Sequence, residues 1–455
     1  MTGESGGSKQ LIFGTICLVC ILVAGAAFWY VQWRRDQGTG GVTVRTLLPL
    51  EGSPYFVAIS PDGAAVSMIR GSGGGGPSVE VRDVASGREM GSFTLPAWKE
   101  GPQYSLARPL RYCDGGKYLV AFDGLGTLYV VDAQTFQPHG SIVLNDLQVR
   151  FGKEIEATPM SRAFSTRHFE LDCSAGSAVM ALRIPVDKDN AIKIFDLDTG
   201  LETADLTASF RGFYGDGVAV SPDGSKVAVV TWDLWSSDRV SQEMEVVEVA
   251  DIRSGSLLRT RDFGDRHGLN EYQLAFAGEN ALAIGEPLCQ PNQMCRDAPA
   301  PRGRRLRVLD LGERGEAMPL GTPGEEVYRF SGASADGGVV FAYTGAENFC
   351  KSCNHGIGEL KIEDARFTVW NRNSGRGMVL SPRLRVMKYR CPLIFFGACE
   401  DSEAVPSLEL SADGNSVVAF WSANNIADPN ASKGNGEVKV FSWHRFGPVP
   451  HPLPG

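Results

Sequence analysis

A short turn built on Asp-Gly, or on a close variant of it, recurs seven times along the 455-residue chain, each time between two runs of alternating apolar and polar residues. The clearest copy reads YFVAIS-PDG-AAVSMIR over residues 55–70 and continues with SVEVRDVASG and REMGSFTLP. Alternation at period two predicts β-strands, and Asp-Gly is typical of hairpins because glycine accepts positive φ. The seven turns lie at Asp62-Gly63, Asp114-Gly115, Ala175-Gly176, Asp223-Gly224, Gly278-Glu279, Asp336-Gly337 and Asp413-Gly414.

A third apolar run completes the pattern, and in most copies it ends at an acidic residue. The predicted ends of these third strands are Asp83, Asp132, Asp196, Asp251, Asp310, Asn371 and Trp443. Between positions 62 and 413 the units recur at a mean spacing of about 58 residues. Period, turn and strand count together predict an all-β fold, a seven-bladed β-propeller of four-stranded blades over residues 42–446.

The seventh unit lacks an obvious fourth strand, because EVKVFSW is followed by the proline-rich end of the chain. The segment VTVRTLL at residues 42–48 precedes the first unit and is predicted to supply that strand. This pairing joins the two ends of the propeller and removes an exposed strand edge.

These motifs resemble those of WD-repeat-like and Tol-system-like propellers, over roughly residues 42–445. The matching segments are SPDG at 60–63 and 221–224, SADG at 334–337 and 411–414, and the DxxSG or DxxTG ends at 83–87, 196–200 and 251–255. The resemblance implies the propeller fold and, for most such proteins, a scaffold or binding role. The Gly-His and Trp-Asp pairs of the WD consensus do not recur, so the resemblance transfers no active site.

An uncharged run of 21 residues, LIFGTICLVCILVAGAAFWYV, occupies positions 11–31. As a helix it would span roughly 31 Å, about the thickness of a hydrocarbon core. We expect a tail at 1–10, a transmembrane signal-anchor helix at 11–33, a linker at 34–41 and a proline-rich tail at 447–455. A cleaved signal peptide is the alternative, with small residues at 24–27; the apolar run continues past them, which favours the anchor.

Charge narrows the range of partners. The formal net charge is −9. Residues 36–455 carry 41 basic against 52 acidic residues, a net charge of −11. A body this acidic repels a phosphate backbone, so nucleic acid is excluded as a partner.

Eight cysteines lie outside the membrane segment: Cys113, Cys173, Cys289, Cys295, Cys350, Cys353, Cys391 and Cys399. Cys113 and Cys173 occupy the same position, the end of the first strand, in adjacent units. The other six form three pairs close in sequence, on the end of the propeller where second-to-third-strand loops and blade connections emerge. We expect structural disulfides, and therefore an extracytoplasmic body, periplasmic or extracellular.

Metal binding and free thiols are the alternatives for these cysteines. A zinc site built on Cys350, Cys353 and His355 lacks a fourth ligand, and Asn354 breaks the spacing needed for haem attachment. No metal or cofactor is therefore predicted. Free thiols would accompany a cytoplasmic body, the orientation that Arg34 and Arg35 favour by the positive-inside rule.

Loop length indicates the functional face. Predicted second-to-third-strand loops at 232–243, 287–305, 347–366 and 423–437 emerge beside the connection at 383–406. The candidate partner-binding residues on them are Trp232, Trp235, Arg302, Arg304, Arg305 and Asn348. We expect a protein or glycan partner there.

No catalytic residue is predicted. The six histidines are scattered, and no G-x-S-x-G nucleophile elbow is present. The expected function is a membrane-anchored extracytoplasmic propeller that acts as a non-catalytic protein-binding or scaffolding module. The alternatives are a propeller enzyme with a carboxylate or metal site at the central channel, and a cytoplasm-facing, membrane-tethered scaffold.

Overall fold

The computed structural model describes most of the body of the chain. The described residues are 42–47, 54–70, 78–95, 105–106, 110–122, 127–143, 168–186, 189–210, 217–237, 240–265, 274–287, 304–312, 317–320, 326–350, 357–375, 377–380, 387–392, 400–401, 407–421 and 437–443. The predicted membrane segment at 11–33 and both tails lie outside them. Among the residues that are described, no helix has the length and apolar character needed to cross a membrane.

Thirty-one β-strands run through these residues. In chain order they are β1 (Thr43–Leu47), β2 (Pro54–Ile59), β3 (Ala65–Arg70), β4 (Ser78–Asp83), β5 (Glu89–Thr94), β6 (Ser105–Leu106), β7 (Leu110–Cys113), β8 (Tyr118–Phe122), β9 (Thr127–Asp132), β10 (Pro138–Val143), β11 (His168–Cys173), β12 (Val179–Val186), β13 (Asp189–Asp196), β14 (Leu201–Asp205), β15 (Val218–Val220), β16 (Lys226–Ser237), β17 (Val240–Asp251), β18 (Leu257–Asp265), β19 (Leu274–Phe276), β20 (Ala281–Pro287), β21 (Arg304–Asp310), β22 (Ala317–Pro319), β23 (Glu326–Ala333), β24 (Val339–Cys350), β25 (Ile357–Asn371), β26 (Gly377–Val379), β27 (Met387–Pro392), β28 (Glu400–Asp401), β29 (Ser407–Leu410), β30 (Ser416–Trp421) and β31 (Glu437–Ser442).

The pairing of these strands confirms the predicted seven-bladed propeller. Blades one to six are the antiparallel sets β2–β5, β7–β10, β11–β14, β15–β18, β19–β22 and β23–β26, and blade seven is β29, β30, β31 and β1. A single residue pair, Arg304 with Val327, links blades five and six into one sheet. Six third strands end at the predicted residue; the seventh ends at Ser442, one residue before the predicted Trp443.

The predicted closure is also confirmed. Strand β1 pairs antiparallel with β31, in a register that runs from Thr43 opposite Ser442 to Leu47 opposite Val438. Leu47 is buried and packs in a cluster with Val57 of blade one and Val440 of blade seven. The first strand of the body therefore completes the last blade and fixes it to the first.

The core is divided among the seams, by which we mean the interfaces between neighbouring blades. Each of the seven seams contains one cluster of buried apolar side chains contributed by the two blades that meet there. At the seam of blades six and seven, the rings of Phe367 and Phe441 meet edge to face with centroids 5.2 Å apart, a favourable aromatic geometry. The first strands of the blades contact one another around a complete ring.

One end of the propeller, here called the turn face, carries the first-to-second-strand and third-to-fourth-strand turns. In blade one the Ser60 hydroxyl donates to Asp62 Oδ1 at 2.6 Å and accepts the N–H of Ala65 at 2.8 Å, while Gly63 takes φ +71°. Blades four, six and seven repeat this Ser–Asp arrangement. The opposite end, where second-to-third-strand hairpins and blade connections emerge, is called the loop face.

Two of the predicted loops on the loop face are wrong. Residues 232–237 and 240–243 are paired strand, because β16 and β17 form a hairpin with a continuous register from Lys226–Asp251 to Ser237–Val240. Most of 347–366 likewise belongs to β24 and β25. The aromatic and β-branched residues of these segments suit strands, and that local preference extends the hairpins beyond the blades. The predicted loops at 287–305 and 423–437 lie mostly outside the described residues.

Blade two departs from the turn pattern at Phe136, which takes φ +58° where other blades have glycine. Its ring packs on blade one against Gly91 of β5: a Cβ added to Gly91 would lie 2.1 Å from Phe136 Cδ2. We expect Gly91→Ala to lower the free energy of unfolding by about 1–3 kcal/mol, since the whole ring must move. The change in the free energy of unfolding is measured by urea denaturation.

Gly140 on β10 is the matched control for Gly91, because a Cβ added there meets no atom within 4 Å. Gly140→Ala should leave the free energy of unfolding unchanged or raise it by about a few tenths of a kcal/mol, because alanine lowers the conformational entropy of the unfolded chain. Equal urea midpoints for the two variants would contradict the packing of Phe136 on Gly91.

Candidate functional site

The turn-face end of the central channel forms the candidate site. Each of the seven inner strands contributes its last residue there: Ile59, Cys113, Cys173, Val220, Phe276, Ala333 and Leu410. Together with the turns that follow, these residues line a cavity of about 90 Å³. Every blade therefore reaches the cavity at the same register position.

Two carboxylates reach across seams at this level. Asp172 and Glu409 are the penultimate residues of the inner strands β11 and β29. Asp172 Oδ2 accepts the N–H of Val220 in the next blade at 2.8 Å, and Glu409 Oε2 accepts the N–H of Ile59 in the next blade at 3.2 Å. Equivalent positions in two blades therefore make the same contact, a carboxylate that accepts the last inner N–H of the following blade.

Arg111 on the inner strand β7 lies between these two carboxylates. Its guanidinium forms an ion pair with Asp172 Oδ1, and its Nη1 lies 3.9 Å from Glu409 Oε1. The Asp172 side chain is 8% exposed. A buried ion pair is tolerated only where the charges are matched and hydrogen-bonded. The three residues thus link blades two, three and seven through the channel.

Tyr112 adds an uncharged polar group next to Arg111. Its hydroxyl lies 2.6 Å from Ser67 Oγ of blade one. Burial raises the pKa of Tyr112 to about 12. The phenol therefore stays protonated at neutral pH and serves as a hydrogen-bonding link between blades one and two.

A disulfide joins Cys113 of blade two to Cys173 of blade three, with the Cα atoms 5.3 Å apart. Both cysteines are buried and line the cavity. The prediction of a disulfide is confirmed for this pair, for the reason given by the sequence: the two residues hold the same position in neighbouring units. The bond lies at the seam that Arg111 and Asp172 also cross.

The other six cysteines remain a prediction. Cys289, Cys295, Cys353 and Cys399 lie outside the described residues, while Cys350 ends β24 and Cys391 lies in β27. The backbones of these two strands flank β25, where Cys350 faces Glu359 and Cys391 faces Gly358. Two strand spacings are about 9.5 Å, beyond the Cα separation that a disulfide spans. The register thus excludes a bond between Cys350 and Cys391.

Five of the six predicted partner-binding residues lie on strands of the described chain. Trp232 and Trp235 lie in β16, paired with Glu245 and Gln242. Arg304 and Arg305 lie in β21, and Asn348 lies in β24. Arg302 is outside the described residues. These positions share the loop face, so the structure does not gather them with the charged cluster of the channel. Among the described residues, no three His, Cys, Asp or Glu side chains are grouped to hold a metal ion.

Arg111, Asp172 and Glu409 were not singled out from the sequence. A signal was present: at the penultimate position of the first strand, the other blades carry Ala58, Tyr112, Ala219, Ala275 and Gly332. A charged residue at a position that is otherwise small or aromatic indicates a buried polar contact. The residues that such a side chain contacts lie far away in the sequence, so they are identified only from the assembled propeller.

Two carboxyl groups, those of Asp223 and Glu279, interact on the turn face at the seam of blades four and five. Partial burial opposes ionisation of Asp223, but hydrogen bonds from Ser221 and Ser225 hold its pKa below the ordinary value. Burial and then the hydrogen bond with Asp223 raise the pKa of Glu279.

This pair makes the stability of the seam depend on pH. Since the folded-state pKa of Glu279 is raised, its stabilising contribution is present below the ordinary pKa of 4.5 and is lost as pH rises through the folded value. Glu279→Gln keeps a donor for Asp223 and removes the titration. We expect the stability of this variant relative to the natural protein to increase between pH 4.5 and 7, in urea unfolding at each pH.

Glu89→Gln on the exposed strand β5 is the control for this series. It removes one carboxylate from a strand outside the seam of blades four and five, so it shows how the loss of one negative charge alone affects unfolding. Parallel pH curves for Glu279→Gln and the natural protein would show that the two carboxyls do not share a proton in the folded state.

Removal of the buried disulfide should lower the free energy of unfolding of the propeller. The chain-entropy relation gives about 4 kcal/mol for the 60-residue separation of Cys113 and Cys173. We expect the Cys113→Ala/Cys173→Ala double variant to lose stability of this order in urea denaturation. Each single variant should lose at least as much, and a single variant as stable as the natural protein would contradict the bond.

Comparison with known proteins does not assign the chain to a family. No family model and no curated protein matches the sequence. Solved propellers do match: the hydrazine synthase of Kuenenia stuttgartiensis (TM-score 0.45, 15% identity, 83% of this chain and 95% of the other) and the Cps50 (Swd1) β-propeller domain of Myceliophteria thermophila (0.47, 11%, 88% and 98%). The WD40 repeats of RRP9 match with a TM-score of 0.44 and 12% identity, over 89% of this chain and 99% of the other.

The expected seven-bladed propeller fold is confirmed by the closed blades described above. Identities this low carry no ligand, partner or activity from these structures to the present chain. Its function must therefore be argued from its own residues.

Proposed function

We propose that this protein is a membrane-anchored, extracytoplasmic propeller that acts as a non-catalytic protein-binding or scaffolding module. Its partner docks on the loop face of blades four to seven. The helix expected at 11–33 anchors the body through the linker at 34–41, and the propeller over 42–446 carries the docking surface.

The observation that carries this proposal is the extension of two hairpins beyond their blades. In blade four, β16 and β17 stay paired to Ser237 opposite Val240, and the last four pairs, from Leu234 opposite Glu243 onward, extend beyond both the inner strand β15 and the outer strand β18. At about 3.3 Å per residue, these four pairs project roughly 13 Å from the loop face. In blade six, β25 pairs with both β24 and β27 beyond the blade. Surface elements held by a rigid scaffold are typical of recognition surfaces.

The channel supports binding over catalysis. Asp172 and Glu409 each accept a backbone N–H of the next blade, and Arg111 lies between them. These contacts hold neighbouring blades together. The carboxylates of the channel thus have a structural task.

The disulfide supports the proposed compartment. A buried bond between Cys113 and Cys173 persists in oxidising spaces, the periplasm or the cell exterior. The uncharged run at 11–31, with its aromatic end, supports a signal anchor that crosses the membrane once.

The compartment is tested by the intact mass of the body purified from its native membrane, alkylated with and without reduction. We expect the eight cysteines outside the anchor to react only after reduction, as four disulfides require. Eight thiols that react without reduction would overturn the extracytoplasmic placement and leave a cytoplasm-facing scaffold.

The docking surface is tested with a photo-crosslinking amino acid placed at Trp235 in β16, with the full chain in its native membrane. We expect a discrete crosslinked partner from this position. The matched control is Thr135 in the turn of blade two, an exposed residue on the turn face. The same crosslinks from both positions, or crosslinks from Thr135 alone, would contradict docking on the loop face.

A further inference from the structure

In blades one and four, the last N–H of the inner strand points into the channel. In blade one, Ser60 N donates to Ala65 O of the second strand. Because alternate residues of an antiparallel strand direct their N–H groups to opposite sides, Ile59 N points away from the second strand. Its bond to Glu409 and the bond of Val220 to Asp172 show this orientation directly.

Blades five, six and seven have the same geometry without the carboxylate. Ala277 N, Ser334 N and Ser411 N each donate to the second strand of their own blade. The N–H groups of Phe276, Ala333 and Leu410, one residue earlier, therefore point into the channel. Within the part of the chain that the structure describes, these three groups have no acceptor.

The reason lies in the preceding blade. The positions equivalent to Asp172 and Glu409 are Ala219, Ala275 and Gly332 in blades four, five and six. A methyl group or a hydrogen cannot accept a hydrogen bond. The two small residues Ala275 and Gly332 line the same cavity as Phe276, Ala333 and Leu410. A Cβ added to Gly332 would lie 3.8 Å from Leu410 Cβ, so the two positions are adjacent across the seam.

We propose that these three N–H groups form a binding site for a carboxylate that comes from outside the chain. The site repeats, with an external ligand, the contact that Asp172 and Glu409 make in the same ring. Its carboxylate is that of a small carboxylic acid or of a peptide terminus, and the experiment distinguishes the two sources.

Size and charge fit a carboxylate head group. A cavity of about 90 Å³ is several times the space that one water molecule requires, so it admits a carboxylate with one or two carbons. Buried N–H groups are costly without an acceptor, and a charged acceptor makes the stronger hydrogen bond. Arg111 offsets one of the two resident carboxylates, which leaves the lining with a net charge of −1 and weakens the binding of an anion.

The site lies on the turn face, opposite the proposed docking surface, and does not depend on it. The test is thermal unfolding of the full chain in sodium acetate against sodium chloride at equal ionic strength. We expect acetate to raise the melting temperature of the natural protein by about 2 °C in a saturable way. No difference between the two salts would overturn the proposal.

Ala275→Asp supplies the missing carboxylate from within the chain, at the register position of Asp172. This variant should lose the response to acetate. Asp172→Ala is the matched control, since it frees the N–H of Val220 and should respond more strongly than the natural protein. An equal response in the natural protein and Ala275→Asp would overturn the proposal.

Saturation-transfer NMR of acetate with the natural protein keeps the proposal testable if Ala275→Asp fails to fold. We expect a signal that formate displaces and chloride does not; its absence overturns the site.

A tetrapeptide with a free terminal carboxylate, compared with its amidated form, identifies the source of the carboxylate. Displacement of acetate by the free acid alone indicates a peptide terminus, and no displacement by either indicates a small acid. Equal displacement by both forms would contradict carboxylate recognition.

Discussion

The burial of apolar side chains at the seven seams is the interaction on which the rest of this structure depends. Among the residues that the structure describes, each cluster of buried apolar side chains is shared by two neighbouring blades, as Phe367 and Phe441 show for blades six and seven. The last seam can form only when β1 joins β31. Closure therefore stabilises every blade, because an open ring would leave two apolar sheet faces in water.

The seams have similar apolar clusters but differ in their polar contacts. Blades two and three are joined by the disulfide and by the ion pair of Arg111 with Asp172. Blades four and five instead share the carboxyl pair of Asp223 and Glu279. Polar contacts that differ between these two seams disfavour the exchange of one blade for another.

The two faces of the disc have different physical characters. On the turn face, short Ser–Asp turns bond across seams, as from Asp413 N to Pro61 O at 2.9 Å, and enclose a small cavity of backbone donors. On the loop face, the hairpins of blades four and six extend beyond the sheets. A rigid ring that offers a small polar site on one side and long hairpins on the other suits a protein that binds.

The sequence by itself determined the number of blades, the positions of the turns and the closing strand, because Asp-Gly turns and period-two strands are local chemistry that repeats along the chain. It also indicated Cys113 and Cys173 as partners, through their equal register. It did not identify the long hairpins, since segments such as 232–243 were assigned to loops from their distance to the next strand.

Only the tertiary structure decided which residues meet in the channel. Arg111, Asp172 and Glu409 come from blades two, three and seven, and nothing in their local sequence states that they contact one another. The unmatched N–H groups of Ala333 and Leu410 become visible only when equivalent positions are compared around the ring. The physical reason is that a repeat consists of turns and strands formed by residues close in sequence. A site on the propeller axis instead forms from residues far apart in sequence, which meet only when all seven blades close.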